Sequence, residues 1–173
     1  MKYAQLPYFH LSIILFIFAL TGITAKDKPT QALKFVIEDS GIQLNDNILK
    51  ADRRIDFYEG ILGKYNITEN RADGLYYTWD KLGIKLREDG NTKSINQITL
   101  FLSPIGTSAT KSPYKGKLSA LGKDITFQTN PSKISKETIC EQIFCAFDLE
   151  SLTVYVNLTS DKKKIQYIQM VLP

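Results

Sequence analysis

The sequence has very little histidine: one residue, His10, in a chain of 173. His10 lies in an N-terminal segment that we expect to be removed, and the remaining chain would then contain none. Without an imidazole, the chain has no Ser-His or Cys-His nucleophile and no histidine ligand for a metal. We therefore expect no metal, no other cofactor and no enzymatic activity.

Other catalytic signatures are also missing. The sequence has no Gly-rich phosphate loop, no G-x-S-x-G segment and no C-x-x-C redox motif. A carboxylate-based hydrolase stays open as a less favoured alternative, because aspartate and glutamate are plentiful. Its candidates, Asp39, Asp46, Asp73 and Asp80, each stand beside a turn or cap signal, which is typical of solvated structural acids.

The N-terminus is typical of a secretory signal. Lys2 precedes an apolar run from Leu11 to Leu20, and small residues lead to a cleavage site between Ala25 and Lys26. This predicts a signal peptide over 1–25 and an exported protein, periplasmic in a bacterial source or secreted. The alternative is an uncleaved anchor, because the run counted from Tyr8 reaches the short limit for a membrane span.

After cleavage, residues 26–173 have the length of one domain. They contain no second apolar run of membrane length, so we expect no stable membrane insertion. The net charge of +4 on the whole chain is ordinary and does not predict nucleic-acid binding.

The apolar pattern predicts an α+β fold with mostly antiparallel sheets and two helices. Strand-like alternation recurs along the chain, as in 152–158. One helix is predicted over 52–62, with Asp52 as its cap. A second is predicted after Ser132 or Ser135, carrying Ile139 and Ile143 at helical spacing.

The two halves of the chain follow a similar plan. A shift of 70 positions places residues 79–102 on 149–172 without a gap, and the alternating apolar residues coincide. We therefore predict a duplicated ββα-hairpin unit, with pseudo-repeats over 33–102 and 114–172 and a linker over 103–113. The alternative is chance, because any two amphipathic hairpins share a period of two.

Cys140 and Cys145 are the only cysteines. In an oxidising compartment an even count favours a disulfide, and two buried free thiols are the alternative. A catalytic cysteine is not expected, because no histidine could activate it.

Two surface hypotheses concern aromatic and basic residues. Tyr76, Tyr77, Trp79 and Asp80 are candidates for partner binding, since exposed aromatic residues are common interface anchors, although they are equally common in cores. The basic run 162–164 could contact an acidic partner or lipid head groups, or it could be a solvated hairpin turn.

The segment Trp79-Asp80-Lys81-Leu82-Gly83-Ile84 resembles a family of small exported bacterial proteins of unknown function that carry a W-D-x-L-G-I segment. The resemblance covers roughly residues 33–102 and supplies no catalytic residues. Members of this general type are often similar to immunity or accessory proteins encoded beside secreted antibacterial effectors.

The resemblance implies a non-catalytic exported binding protein with a protein partner. Its most concrete form is a periplasmic immunity protein that neutralises a toxin. An envelope structural or accessory protein is the alternative.

Overall fold

The computed structural model describes residues 32–103 and 110–172. The expected cleavage site between Ala25 and Lys26 lies outside these residues, so the signal peptide stays a prediction. Residues 31–173 form one compact unit, and its buried apolar core is built from side chains between Phe35 and Leu172. Because the unit encloses its own core, we expect it to fold without the preceding segment.

Within the described ranges the chain forms 13 strands in two sheets and a single α-helix. The elements in chain order are β1 (Lys34–Glu38), β2 (Gly41–Leu44), β3 (Asn47–Leu49), α1 (Ile55–Leu62), β4 (Ile67–Arg71), β5 (Gly74–Trp79), β6 (Ile84–Glu88), β7 (Ile95–Phe101), β8 (Lys117–Ala120), β9 (Lys123–Asp124), β10 (Ile139–Glu141), β11 (Phe144–Leu149), β12 (Leu152–Leu158) and β13 (Ile165–Val171). The smaller sheet has the order β3-β2-β1-β8-β9, and the larger β10-β11-β12-β13-β7-β6-β5-β4.

The predicted α+β fold with two helices is therefore wrong, and the described chain is all-β. The segment expected to form the second helix contains a 3₁₀ turn over Pro131–Lys133 and then the β10–β11 hairpin. Glu141 pairs with Phe144 across a two-residue turn in which Gln142 has a positive φ of 46°. The helical spacing of Ile139 and Ile143 had only two members, and a hairpin satisfies it equally well.

The first helix is present but starts later than predicted. Arg54, not Asp52, precedes its first turn and makes no side-chain cap hydrogen bond. The helix ends at Leu62, as predicted, with Gly63 as its C-cap, and Tyr58 on its inner face is fully buried.

Strand β4 was not predicted from the sequence. This strand lies at the edge of the larger sheet, and four of its five residues are exposed. An edge strand with water on both faces needs no alternation of apolar and polar residues, so its sequence resembles a polar connector.

The larger sheet has two similar halves, β4–β7 and β10–β13, joined edge to edge by the antiparallel pair β7 and β13. A shift of 70 places the bounds of β5 on those of β11 and the bounds of β7 on those of β13. Thr99 pairs with Gln169, its own equivalent under that shift. The pairs on either side are exchanged in the same sense, Ile98 with Met170 and Leu100 with Ile168. The two halves are thus related by an approximate twofold rotation about the Thr99–Gln169 pair.

The smaller sheet does not follow this relation. Its hairpins β1–β2 and β8–β9 meet through a parallel pair in which Lys34 lies beside Lys117, 83 positions later. Side chains of both sheets contribute to one apolar core, including Phe35 and Ile37 from β1 and Ile84, Leu100 and Ile168 from the larger sheet. Both sheets therefore belong to one domain with a shared core, and the two halves of the chain do not form separate domains.

Candidate binding surface

The W-D-x-L-G-I segment forms the end of β5, a turn and the start of β6. Trp79 is 3% exposed, and its indole Nε1–H donates to the carbonyl of Gly63 at 2.7 Å. Tyr65 lies edge-on to its ring, with the centroids 6.0 Å apart. Trp79 therefore fastens the C-terminal end of α1 to the larger sheet.

Asp80 is buried and makes four polar contacts. Its amide donates to Asn66 Oδ1 at 2.8 Å, and its carbonyl accepts from the amide of Ser112 at 3.2 Å. Its carboxylate accepts from the amide of Lys111 and lies 3.5 Å from Lys111 Nζ. Asp80 thus holds the described end of the predicted linker against the β5–β6 turn.

Gly83 completes this arrangement because nothing larger fits. Its φ is +67°, and an added Cβ would lie 2.3 Å from the amide nitrogen of Tyr114 and 2.6 Å from the carbonyl carbon of Pro113. The segment therefore has a structural role. It holds the chain at Pro113 and Tyr114 against the β5–β6 turn, and its buried residues face inward.

The two tyrosines of the predicted binding cluster are also buried. Tyr77 donates its hydroxyl to Glu88 Oε2 at 2.8 Å, and Tyr76 donates to Asp73 Oδ2 at 2.5 Å. Burial, followed by these hydrogen bonds, raises the pKa of both phenols. Each phenol stays protonated near neutral pH and keeps its donor role.

Tyr76, Tyr77, Trp79 and Asp80 are all less than 10% exposed. Each of them makes a hydrogen bond to another residue of the fold, which agrees with the alternative that they pack in the core. An exposed contact surface has to be sought in another part of the molecule.

Glu69 is the centre of a charged cluster on β4, β5 and β6. Its carboxylate lies 3.0 Å from Lys85 Nζ and also contacts Arg71. The hydrogen bond from Lys85, with a further one from Arg71, lowers the pKa of Glu69. Arg71 and Lys85 also lie over the ring of Tyr76, at 4.9 and 5.0 Å. This cluster fixes the β4 edge of the sheet.

The predicted disulfide is confirmed. Cys140 on β10 and Cys145 on β11 are bonded, and as direct cross-strand partners their Cα atoms are 3.9 Å apart. Cys145 is fully buried and belongs to the apolar core, so the bond ties an exposed hairpin to that core. The spacing of five, awkward for a continuous helix, suits two strands joined by a two-residue turn.

The disulfide-closed hairpin exposes large apolar side chains. Ile139 is 70% exposed, Ile143 50% and Phe144 37%, and the ring of Phe144 lies 6.5 Å from that of Tyr155. We call Ile139, Ile143 and Phe144 the hairpin patch. Sequence reasoning missed it because a helix would have buried both isoleucines; their position beside two cysteines is the only signal that could have indicated it.

A family model described as a domain of unknown function, DUF7738, matches residues 34–135. The chain belongs to this DUF7738 family. The match begins with β1 and ends after the 3₁₀ turn, so it includes β4–β7 but neither the disulfide nor the hairpin patch. The prediction that the chain belongs to a family of unknown function is therefore confirmed. The W-D-x-L-G-I signature of that family and its bacterial, exported character stay predictions.

No curated protein matches the chain. A solved structure of a cysteine-rich secretory protein from Staphylococcus aureus is similar, with 14% identity and a TM-score of 0.39. The alignment covers 82% of this chain and 51% of that protein, so this chain spans about half its length. A likeness at this level supports no statement about fold or function.

The carboxylates of this DUF7738 chain are dispersed. The four candidates, Asp39, Asp46, Asp73 and Asp80, lie in four different turns. Asp80 and Glu88 are each buried, and each already accepts a hydrogen bond from another residue of the fold. Among the described residues there is no group of three or more His, Cys, Asp or Glu side chains suited to a metal.

Two further observations concern cavities and membranes. An open cavity of about 700 Å³ is lined mainly by polar residues of the β6–β7 turn and of the segment before α1, among them Asp52, Arg54 and Asp89. Asp89 is engaged there, since its carboxylate accepts from the amides of Asn91 and Thr92. In the ranges that the structure describes, no helix is long and apolar enough to cross a membrane.

Proposed function

We propose that this chain is an exported, non-catalytic protein that binds another protein, most concretely an immunity protein that neutralises a secreted antibacterial effector. The observation that carries the binding role is the hairpin patch, because a rigid, exposed apolar surface is typical of a contact site. The disulfide reduces the entropy that a free hairpin would lose on binding.

The position of the patch supports a specific binding mode. β10 is the last strand of the larger sheet and pairs only with β11 among the described residues. Its outer edge offers backbone donors and acceptors to an added strand, and Ile139 on that strand offers an apolar contact. A partner segment that extends the sheet would use both features.

The test is co-expression with the product of the adjacent gene, targeted to the periplasm. We expect the wild-type chain to restore growth, and Ile139→Ser to weaken rescue and binding measured by calorimetry. Ile48→Ser is the matched control, because Ile48 is 57% exposed but lies on β3 of the other sheet.

Absence of rescue and of a complex with the wild-type chain would overturn the immunity role. Equal loss of rescue in both variants, each folded, would show that the hairpin patch is not the contact surface. Growth defects in a deletion strain that are independent of the adjacent gene would favour an envelope accessory protein.

A further inference from the structure

Two turns that are distant in sequence lie at the same end of the larger sheet. One joins β5 to β6, and the other joins β12 to β13. Ile84, at the start of β6, pairs with Leu100, and Phe101, at the end of β7, pairs with Tyr167 near the start of β13. Both turns therefore lie where β7 ends.

This end carries many exposed lysines, which together we call the lysine end. Its exposed members are Lys81, Lys111, Lys115, Lys162, Lys163 and Lys164. Lys111 is brought to this end by its contacts with Asp80, and its side chain is still 87% exposed. Lys115 follows Tyr114, whose amide donates to the carbonyl of Phe101 at 2.6 Å.

The acidic residues of this end only partly offset the lysines. Asp80 is buried beneath Lys111. Asp161 accepts from the Thr159 hydroxyl at 2.5 Å and from the Lys163 amide at 3.1 Å, so its carboxylate is folded into the turn. Glu141, on the adjacent hairpin, adds one exposed negative charge. The lysine end therefore has a clear positive excess.

The opposite end of the sheet has a different charge. Asp73, Asp89 and Glu150 lie in its turns and Asp148 lies near the end of β11, while Lys93 lies in the same turn as Asp89. Arg87 is paired there with Asp73 at 3.4 Å. Strands of seven residues separate the two ends by about 23 Å. The lysine end is therefore the more positive of the two ends of the sheet.

The chain also enters the described domain at the lysine end. The carbonyl of Leu33 accepts from the Tyr114 hydroxyl at 2.9 Å and from the Lys117 amide at 2.8 Å. In the sequence, the apolar run over Leu11 to Leu20 ends 13 residues before Leu33.

We propose that the lysine end docks on a bilayer surface that contains anionic lipids. Lysine clusters on an exposed end are attracted to anionic head groups, and the attraction grows with each charge. The basic residues of this end are lysines and not the bidentate arginines that recognise particular phosphates, so a diffuse anionic surface suits it better than a specific phosphate ligand. This proposal goes beyond the partner-binding function and does not depend on the hairpin patch.

The test uses the domain over residues 31–173 and sedimentation with two kinds of vesicle. One contains phosphatidylcholine alone, and the other about 30% phosphatidylglycerol, a composition chosen to give a strong surface charge. We expect binding only to the anionic vesicles, and its loss at high salt. Lys162→Gln, Lys163→Gln and Lys164→Gln combined should reduce the partition coefficient at least about tenfold.

The matched control removes the same number of positive charges from another part of the surface. Lys50→Gln, Lys93→Gln and Lys136→Gln combined also remove three exposed lysines, but lie away from the lysine end. We expect this variant to keep its binding within about twofold. Circular dichroism establishes that both triple variants are folded.

Equal loss in the two triple variants would show that net charge alone attracts the domain, and binding to phosphatidylcholine alone would show that the lysines are not responsible. Binding to polyglutamate but to neither vesicle would assign the lysine end to an acidic protein. Each of these results overturns the proposal. Ile139→Ser should bind anionic vesicles normally, so failure of the hairpin patch and failure of the lysine end can be told apart.

Discussion

The two edge strands of the larger sheet occupy equivalent places but are held by different chemistry. The pair Asn70–Leu75 joins β4 to β5, and a shift of 70 turns it into the pair Cys140–Cys145, which joins β10 to β11. A covalent bond thus stands where the other half has none. On β4 the hydrogen bonds and ion pairs of Glu69 take over that role.

The same contrast appears at the next turn of each half. In β4–β7, the buried Asp80 and the crowded Gly83 hold the returning chain. The equivalent positions in the other half are Glu150, which is exposed, and Thr153 on β12. One half is therefore stabilised by buried polar contacts and close backbone approach, and the other by a disulfide. Only the first half lies within the DUF7738 match.

Gly83→Ala is expected to cause the largest loss of stability among the variants that test this difference between the two halves. The new methyl group would meet the backbone of Pro113 and Tyr114, so we expect unfolding free energy to fall by about 3 kcal/mol or more. Urea unfolding followed by the fluorescence of the single tryptophan, Trp79, measures this loss.

Gly122→Ala is the control for Gly83→Ala. Gly122 also has a positive φ, +74°, but has nothing within 4 Å of an added Cβ. Its replacement should cost only about 1 kcal/mol. Equal losses in the two variants would mean that backbone conformation, and not the approach of residues 113 and 114, makes Gly83 necessary.

The next effect concerns the other half. Replacing both Cys140 and Cys145 with serine removes a bond that closes a short loop, and we expect a loss of about 2 kcal/mol. Thermal unfolding with and without dithiothreitol measures it. The reductant should lower the melting temperature of the wild-type chain but leave that of the double variant unchanged, and a reductant effect on both would contradict the assignment.

Asp80→Ala tests the buried contact against its exposed equivalent. It leaves the amide of Lys111 without its acceptor, so we expect a loss of about 1.5 kcal/mol. Asp80→Asn keeps an acceptor oxygen and should retain most of that stability. Glu150→Ala, at the equivalent position, should change the unfolding free energy by less than about 0.5 kcal/mol. Similar losses at Asp80 and Glu150 would remove the proposed difference between the two halves.

The smallest effect is the pH dependence of the β4 edge. The folded-state pKa of Glu69 is lowered, so its contribution is present above the unfolded pKa and is lost as pH falls through the folded pKa. Glu69→Gln should therefore lower stability by less than about 1 kcal/mol near neutral pH, and the difference should vanish in acid. Urea unfolding from neutral pH to below the usual glutamate pKa gives the curve, and Glu141→Gln, on the other edge strand, should leave it unchanged.

Several strands could be predicted because buried and solvent-facing residues alternate along them, as in β1 and β2. β12 shows this most clearly, with every second residue buried from Leu152 to Leu158. The second helix failed because the spacing of Ile139 and Ile143 was read as a buried face, whereas both side chains are exposed. β4 was missed because both of its faces are largely exposed.

The candidate site was harder to predict than the fold. The disulfide followed from the cysteine count and the expected compartment. The aromatic cluster did not reveal its burial, because the contacts of Trp79 with Gly63 and of Asp80 with Lys111 join residues that are 16 and 31 positions apart. Composition and local spacing contain no information on such contacts.

The central place of β13 has a consequence for the order in which the molecule can be assembled. β13 is the last strand of the chain, yet it lies between β12 and β7 in the middle of the larger sheet. β1, the first strand of the described residues, pairs with β8. Closing such long loops makes folding slow, and neither sheet is complete until most of the chain has left the ribosome. Both sheets therefore remain incomplete until strands that are distant in the sequence have been synthesised and paired.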